Sequence, residues 1–208
     1  MLRALTAEQS RAVEHRAVAE TGASLAALMA QAGRRLADVV AERVPDGEIV
    51  ILAGPGNNGG DGWVAARELH SAGRSVRVLA MRGPAALDGI AAEAAGRAVA
   101  DGVAWASPDG APSAQDLANA ACVVDALLGT GSALPLREPL PAWCDAVNAS
   151  GAYVVAADQP TGADTDTGAA DPHCIVADCT VAFTAPSRAI VLHPAAARAG
   201  EIVIVDIG

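Results

Sequence analysis

The amino-acid sequence predicts a three-layer αβα sandwich with a mostly parallel sheet and two extra helices at its N-terminal end. From Glu48 onward, short β-branched runs alternate with alanine-rich helical stretches, the pattern of parallel sheets that carry helices on both faces. Hydrophobic residues make up 52% of the 208 residues, whereas aromatic residues make up 2%. Aliphatic residues must therefore build the core, as is typical of helix-covered parallel sheets.

Two helices are predicted before the first strand. Thr6 and Gln9 form a capping box, so the first helix runs from there to about Glu20. The second helix runs from Ser24 to near Arg43, and its apolar residues are spaced for one buried stripe: Leu25, Leu28, Met29, Leu36 and Val40. Both helices lie outside the repeating strand–helix unit, so we expect them to cover a face or an interface.

Seven strands and four further helices follow in alternation. The predicted strands are Ile49–Ala53, Val76–Ala80, Val103–Ala106, Cys122–Ala126, Tyr153–Ala157, Thr180–Phe183 and Ile202–Val205. The predicted helices are Gly62–Ala72, Ala86–Ala100, Ser113–Asn119 and Leu140–Asn148. No internal repeat or long linker interrupts the series, so a single Rossmann-like domain over residues 1–208 is expected.

Charge and composition exclude several classes of partner. The formal net charge is −10 and no run of Lys or Arg is present, which argues against nucleic acid. No apolar run approaches the roughly 20 residues of a membrane helix, and the N-terminus does not read as a secretion signal. We therefore expect a cytoplasmic protein without a membrane partner, whose four cysteines are reduced thiols.

The segment after the first predicted strand carries five glycines in nine residues, from Gly54 to Gly62. Such a segment brings the backbone close to a ligand, and the free N–H groups of the next helix favour phosphate. It formally satisfies the dinucleotide fingerprint G-x-G-x-x-G, which alone is a weak signal. A turn built only for folding would also use Gly and Asn, although Asn57, Asn58 and Asp61 exceed what a turn requires.

Two other strand ends carry an unusual carboxylate. Asp125 ends an apolar strand and is followed by Gly129-Thr130-Gly131, a second candidate phosphate cradle. The alternative role for Asp125 is to cap the following turn. Asp158 ends the next strand, and Thr161 presents a hydroxyl shortly after it. Because ligands bind beyond the carboxyl ends of parallel strands, Asn58, Asp125 and Thr161 form a set of oxygen ligands suited to a hard cation.

Other enzyme classes fit the sequence less well. An ordinary dehydrogenase needs a carboxylate after the second strand, where Met81-Arg82-Gly83 stands instead. Asp164–Thr167 resembles the D-x-D-x-T nucleophile of haloacid-dehalogenase-type phosphatases, but the motif does not follow its strand directly. His15, His70, His173 and His193 are too dispersed for a metal site, and no Walker lysine or G-x-S-x-G is present.

Taken together, Gly54–Gly62, Asp125–Gly131 and Asp158–Gly168 closely resemble the YjeF N-terminal domain family, the NAD(P)H-hydrate epimerases. The resemblance extends from the second helix to the closing residues. It implies an isomerase of nicotinamide nucleotide repair, which interconverts the R and S epimers of NADHX and NADPHX. A separate ADP- or ATP-dependent dehydratase then converts the S epimer back to the reduced cofactor, and family members are often homodimers.

The resemblance also implies roles for individual residues. Asn58, Asp125 and Thr161 match positions that bind a potassium ion, and Asp158 is the candidate catalytic acid and base. The residues that match substrate-binding positions are Asn57, Asn58, Gly59, Gly60, Asp61, Gly129, Thr130, Gly131, Ser132, Ala133, Leu134, Pro135 and Asp158. Because the chain ends at Gly208, we expect it to lack dehydratase activity of its own.

Three positions depart from the family pattern. The family's Asp-Ile-Pro-Ser-Gly is replaced by a segment with Gln159 after the aspartate. Its Met-Glu-Asn-Ala-Gly is replaced by a segment with Ala30 and Gln31 after the methionine, which loses a carboxylate. A lysine usual after the sixth strand is replaced by Ser187-Arg188. These changes bear on rate and substrate fit, and the alternative function is a non-catalytic nucleotide-binding module on the same fold.

Overall fold

The computed structural model describes residues 3–131 and 133–208, and in those ranges it has a seven-stranded, fully parallel sheet of order β3-β2-β1-β4-β5-β6-β7. The predicted αβα sandwich is confirmed, and every predicted strand lies within two residues of an observed one. The strands are β1 (Glu48–Ala53), β2 (Val76–Ala80), β3 (Ala104–Ala106), β4 (Ala120–Ala126), β5 (Tyr153–Ala157), β6 (Cys179–Phe183) and β7 (Glu201–Val205).

Six α-helices connect or precede these strands in the described ranges: α1 (Ala7–Thr21), α2 (Leu25–Arg43), α3 (Asn57–Ser71), α4 (Gly89–Ala100), α5 (Ala114–Leu117) and α6 (Leu140–Asn148). Two predicted boundaries were wrong. Helix α3 begins at Asn57 and not at Gly62, so the Asn-Asn-Gly-Gly-Asp segment is helical. A short 3₁₀ helix, Pro84–Ala86, precedes α4, which begins only at Gly89.

The sheet buries both of its faces. One face packs Ile49, Ile51 and their neighbours against α2, α3 and α4, with Leu36 and Trp63 fully buried between them. The opposite face packs Val50 and Leu52 against α5 and α6. Because alternate residues of a strand point to opposite faces, Asp125 projects from an otherwise apolar strand toward the α6 side.

Helix α1 is attached differently from the other long helices. None of its residues is buried, although the predicted Thr6–Gln9 capping box is present. Its N-terminal end is held by three hydrogen bonds. Ala7 N donates to Asp166 Oδ1 at 2.8 Å, Leu5 N donates to Pro186 O at 2.9 Å, and Arg188 N donates to Leu5 O at 3.0 Å. This helix therefore rests on the sheet's loops without contributing to the core.

The connection pattern fixes where a crevice forms. β1 leads through α3 to β2 on one side, whereas β4 leads through α6 to β5 on the other, so the chain changes direction between β1 and β4. The loops that leave these two adjacent strands diverge, and ligands of such sheets bind in the gap between them. Gly54 begins the first of those loops and Leu127 begins the second.

Two further expectations can be compared with the described residues. All four cysteines are buried, and they form no disulfide. Burial raises the pKa of Cys122 to about 12, which keeps that thiol protonated and unreactive. Within residues 3–131 and 133–208, no helix is both long and apolar enough to cross a bilayer.

Candidate functional site

A cavity of about 480 Å³ opens beyond the carboxyl ends of β1, β4 and β5. All three strand-end segments singled out from the sequence contribute to its wall: Asn57, Asn58 and Asp61 from the first, Gly129, Thr130 and Gly131 from the second, and Asp158 from the third. Most of the rest of the wall comes from α1, α2 and the segment after β6, and α4 and the segment after β7 each add one residue, Ile90 and Ile207. The three predicted segments therefore meet around one space.

The early start of α3 gives the asparagine segment a helical geometry. Gly56 is the N-cap and its backbone has no side-chain cap in the described residues, so the first N–H groups of the helix are open to a ligand. Gly56, Asn57 and Asn58 all line the cavity. Asn58 and Asp61 are three residues apart on one helical face, which explains why both side chains meet the same space.

The main role of the glycines in this segment is to let neighbouring backbone and side chains pack closely, and not to form a sharp turn. A Cβ on Gly54 would overlap the carbonyl oxygen of Leu127, and a Cβ on Gly59 would overlap the carbonyl oxygen of Gly54. A Cβ on Gly60 would overlap the side chain of Met29 in α2. Gly59 and Gly60 are accordingly buried and lie behind the cavity wall, although they were predicted to contact the substrate.

Asp125 and Thr161 join the loops that follow β4 and β5. Thr161 N donates to Asp125 Oδ2 and Thr161 Oγ1 donates to Asp125 Oδ1, both at 2.8 Å. Asp125 also accepts from Leu127 N at 3.2 Å, so it caps its own turn as well. Both side chains are fully buried, and burial raises the pKa of Asp125 to about 6 while the hydrogen bonds from Thr161 oppose that rise.

Asn58 has an amide group that no described residue satisfies. Both its Oδ1 and its Nδ2 are buried without a hydrogen-bond partner in the part of the chain that the structure describes. A buried amide without partners costs free energy, so such a group indicates a missing ligand. A Cβ on Gly129 would lie 3.3 Å from Asn58 Cγ and 2.8 Å from Asp158 Oδ2, which places both side chains beside the loop after β4.

Asp158 adopts a strained backbone at the end of β5. Its φ angle is 68°, in the left-handed region that few residues other than glycine occupy and in which Asp, Asn and His are the commonest exceptions. Its N–H donates to Val181 O at 2.8 Å, and its Oδ2 accepts from Thr130 N at 2.8 Å. Such outliers cluster at active sites, where the surrounding structure maintains them. Because the Thr130 N–H already donates to Asp158, it is not free to donate to a phosphate group.

Three carboxyl groups face the cavity together. Burial raises the pKa of Asp158, and the hydrogen bond from Thr130 partly offsets that rise. The pKa of Asp61 is raised well above its usual value, first by burial and then by the negative charge of Asp158. The pKa of Glu14 is raised by burial and by Asp158 as well. Each of these pKa shifts is toward the protonated form, the form in which a carboxyl group can act as a general acid.

The remaining predicted site residues lie elsewhere. Ala133, Leu134 and Pro135 do not belong to the described cavity wall, and Ser132 lies outside the described residues. Asp164 accepts three hydrogen bonds within its own turn, from Asp166 N, Thr167 N and Thr167 Oγ1, so it acts as a turn residue. Gln31 is exposed on α2, and Ser187 is buried beside the segment that pairs with Leu5.

Several wall residues were not predicted from the sequence. Ser10, Arg11 and Glu14 come from α1, and Thr184 comes from the segment after β6. The sequence of α1 has no apolar stripe, so it did not indicate which face of the helix lies against the rest of the protein. Thr184 has a φ angle of 65°, which is rare for a β-branched residue and leaves no mark in the sequence.

The left-handed backbone at Thr184 gives a testable difference between two substitutions. We expect Thr184→Gly to be more stable than Thr184→Ala by about 1 kcal/mol, because a Cβ in this region costs roughly that amount. At ordinary backbone angles the preference would be reversed, since glycine loses more conformational entropy on folding. Urea denaturation of both variants measures the difference, and a more stable alanine variant would show that Thr184 does not hold this conformation.

A family profile described as YjeF-related protein N-terminus matches residues 25–189, which include α2 and all three strand-end segments of the cavity. The chain belongs to this family. The YjeF-type domain therefore extends over most of the structure, and helix α1, which covers the cavity, precedes the matched region.

Similar proteins agree with this assignment. An NAD(P)H-hydrate epimerase of Rhodopirellula baltica is 42% identical over 181 residues, covering 87% of this chain and 74% of its own length. One from Pirellula staleyi is 36% identical, with 96% and 90% covered. A bifunctional NAD(P)H-hydrate repair enzyme of Thermanaerovibrio acidaminovorans is 39% identical, but the chain spans only 38% of its length.

A solved structure supports the fold independently. The crystal structure of the yeast protein ynu0 superposes with a TM-score of 0.83 at 23% identity, covering 99% of this chain and 88% of the yeast chain. The whole described YjeF-type domain, with α1, thus has a counterpart of the same architecture. At this identity the likeness concerns the fold alone.

Proposed function

We infer that this protein is an NAD(P)H-hydrate epimerase, an isomerase that interconverts the R and S epimers of NADHX and NADPHX. The observation that carries the inference is the similarity, over most of both chains, to the two epimerases of Rhodopirellula baltica and Pirellula staleyi. The cavity supports it, because open helix N–H groups and the half-buried carboxyl group of Asp158 line the same space. That combination suits a phosphate-bearing molecule that undergoes proton transfer.

The proposed chemistry uses Asp158 as both acid and base. The hydroxyl of the substrate is on a carbon attached to the ring nitrogen, whose lone pair helps to expel it. Protonated Asp158 gives its proton to the departing hydroxyl, which leaves as water and creates a ring cation. Asp158, now ionised, removes a proton from a water molecule that adds to the opposite face, and this restores both the hydrate and the protonated acid.

The first turn of α3 is the proposed position for the pyrophosphate. The partial positive charge and the free N–H groups of a helix N-terminus favour an anion. Arg11 is the one Lys or Arg side chain on the described wall, so backbone amides and not cationic side chains must provide most of the binding. This arrangement is compatible with the chain's net charge of −10.

We propose that Asn58, Asp125 and Thr161 hold a potassium ion. The unpartnered carbonyl oxygen of Asn58 and the buried carboxylate of Asp125 are oxygen donors that suit a hard cation. Among the described residues, no group of three Asp, Glu, His or Cys side chains is placed to hold a metal ion, so at this site a single carboxylate would balance a single positive charge. The ion would stabilise ionised Asp125 and tie α3 to the loops after β4 and β5.

Potassium is expected to stabilise the protein against unfolding. At a hundredfold excess over the dissociation constant, a ligand that binds only the folded chain adds about 2.7 kcal/mol. Thermal unfolding in potassium chloride and in choline chloride of equal ionic strength measures the effect. Asn58→Ala should abolish the difference, whereas Asn57→Ala, on the same helical turn, should retain it. Equal unfolding temperatures in both salts for the unaltered protein would refute the ion site.

Further parts of the proposal concern partners and location. Because bifunctional relatives are named as repair enzymes, we propose that the S epimer formed here passes to an ADP- or ATP-dependent dehydratase. A homodimer and a cytoplasmic location complete the proposal. Light scattering of the purified chain tests the first of these, and fractionation of the producing cells tests the second.

The activity is tested by incubating purified R-NADHX with the protein and separating the epimers by chiral chromatography. We expect the protein to accelerate the approach to the equilibrium mixture of R and S above the spontaneous rate. Omitting potassium should reduce the rate if the ion site supports catalysis. Binding of NADHX without acceleration would favour the non-catalytic nucleotide-binding alternative instead.

A further inference from the structure

The residue that follows the proposed catalytic residue has a buried polar side chain. Gln159 follows Asp158 and is fully buried, although nothing in the reaction proposed above uses it. Its Nε2 donates to Ala163 O at 2.8 Å, and its Oε1 accepts from Thr165 Oγ1 at 3.1 Å. A buried amide is costly unless its hydrogen bonds are made, and these two bonds fix the orientation of the Gln159 side chain.

Thr165 connects Gln159 to the loop after β4. The Thr165 side chain is almost completely buried, with 2% exposed, and its hydroxyl lies 3.0 Å from Thr130 O. One hydroxyl proton therefore lies between two acceptors, Thr130 O and Gln159 Oε1. The two loops that follow β4 and β5 are therefore joined here by a contact separate from the bonds between Asp125 and Thr161.

Thr130 is consequently held at both of its backbone polar groups. Its carbonyl oxygen accepts from Thr165, and its N–H donates to Asp158 Oδ2 at 2.8 Å. The carboxylate of Asp158 thus has one fixed donor, and that donor belongs to a residue whose own position depends on Thr165. The series of contacts therefore begins at Gln159, passes through Thr165 and Thr130, and ends at the carboxylate of Asp158.

We propose that Gln159 and Thr165 are positioning residues for the epimerisation: they hold Thr130 so that its N–H keeps the Asp158 carboxyl group aimed into the cavity. This inference rests on the proposed function of Asp158. Neither residue lines the cavity, so their effect on the reaction passes through Thr130 and not through contact with substrate. Active-site groups held within a few tenths of an ångström generally depend on such supporting hydrogen bonds.

The chain offers closely matched variants for a test. Thr165→Val keeps the shape of the side chain and removes the hydroxyl, whereas Thr165→Ser keeps the hydroxyl. Thr167→Val removes a hydroxyl from the same loop, but that hydroxyl bonds Asp164 in an exposed turn and reaches neither Thr130 nor Gln159. Gln159→Leu removes the second member of the pair while keeping a side chain of similar size.

We expect Thr165→Val to lower kcat for R-NADHX about tenfold, the scale of one hydrogen bond's net contribution, with KM changed less than about twofold. Thr165→Ser should restore kcat, and Thr167→Val should leave it unchanged. If the pair acts as a unit, the double variant with Gln159→Leu should lose less than the product of the two single losses. Unchanged kcat in Thr165→Val, or no recovery in Thr165→Ser, would overturn the proposal.

Amide hydrogen exchange of the full chain separates this proposal from the proposed function. The Thr130 N–H should exchange about tenfold faster in Thr165→Val than in the unaltered protein or in Thr167→Val, whether or not the protein is an epimerase. Inactivity of the unaltered protein would refute the activity alone. Equal Thr130 exchange in Thr165→Val and Thr167→Val would refute the positioning role, and this outcome requires no substrate.

Discussion

Asp158→Asn is expected to lower kcat for epimerisation by about 10²- to 10⁴-fold, the range that a positioned acid and base contributes. The amide cannot give a proton to the departing hydroxyl or take one from the returning water. Asparagine also tolerates the left-handed backbone of this position, so the fold should be retained. Chiral chromatography of R-NADHX over time measures the rate. Asp38→Asn, which alters an exposed carboxylate on α2, is the control.

The same variant should not be less stable than the unaltered protein at neutral pH. Burial raises the pKa of Asp158 in the folded state above its unfolded value, so the folded chain holds the proton more tightly. Stability contributed by this group is therefore present below the unfolded pKa and declines as pH rises toward the folded pKa. Removing the ionisable group removes that decline.

An Asp158→Asn variant that keeps the full epimerisation rate would exclude Asp158 as the acid and base.

Gly54→Ala is expected to destabilise the fold by about 3 kcal/mol or more. The new Cβ would overlap the carbonyl oxygen of Leu127. That oxygen is a backbone atom directly after the paired ends of β1 and β4, so it cannot rotate away as a side chain would. Gly54 N also donates to Ala126 O at 2.9 Å, so the backbone cannot move aside without breaking that bond. Relief would require separating β1 from β4 at the place where the cavity opens.

Gly56→Ala provides the matched control for that substitution. A Cβ on Gly56 meets nothing within 4 Å, and the φ angle of Gly56 is −97°, which any residue adopts. Urea denaturation of both variants should therefore separate a large loss at Gly54 from a change of at most about 0.5 kcal/mol at Gly56. Similar losses at the two positions would show that the close approach of β1 and β4 is not the cause.

The strand pattern was predictable because it depends on local chemistry. Each β-branched run is buried on both faces by helices, so it reads as a continuous apolar segment in the sequence. The start of α3 was not predictable in this way, since Asn and Gly are poor helix formers. Tertiary packing overrides that preference: the first turns fit closely against Gly54, Met29 and Ala126, where only glycine leaves enough space.

The convergence of the three strand-end segments was predictable for a similar reason. Parallel strands bring their carboxyl ends to one edge, so the strand order places Asn58 and Asp158 on one cavity wall and allows Thr161 to bond Asp125. The contribution of α1 could not be inferred, because a helix that buries no residue has no apolar stripe to reveal its contacts. The Gln159–Thr165 contact also depends on how the loop after β5 folds back.

Helix α1 buries none of its residues, so it can be displaced to let a dinucleotide reach Asp158. Lifting this helix exposes little apolar surface to water, so its displacement costs far less than opening any part of the sheet. Gly22, with a φ angle of 71° at the C-terminal end of the helix, provides a joint next to α2. In the proposed reaction, a bulky nucleotide substrate would enter from the α1 side, and the returned helix would screen the ring cation from bulk solvent, while the strands that position Asp158 stay still.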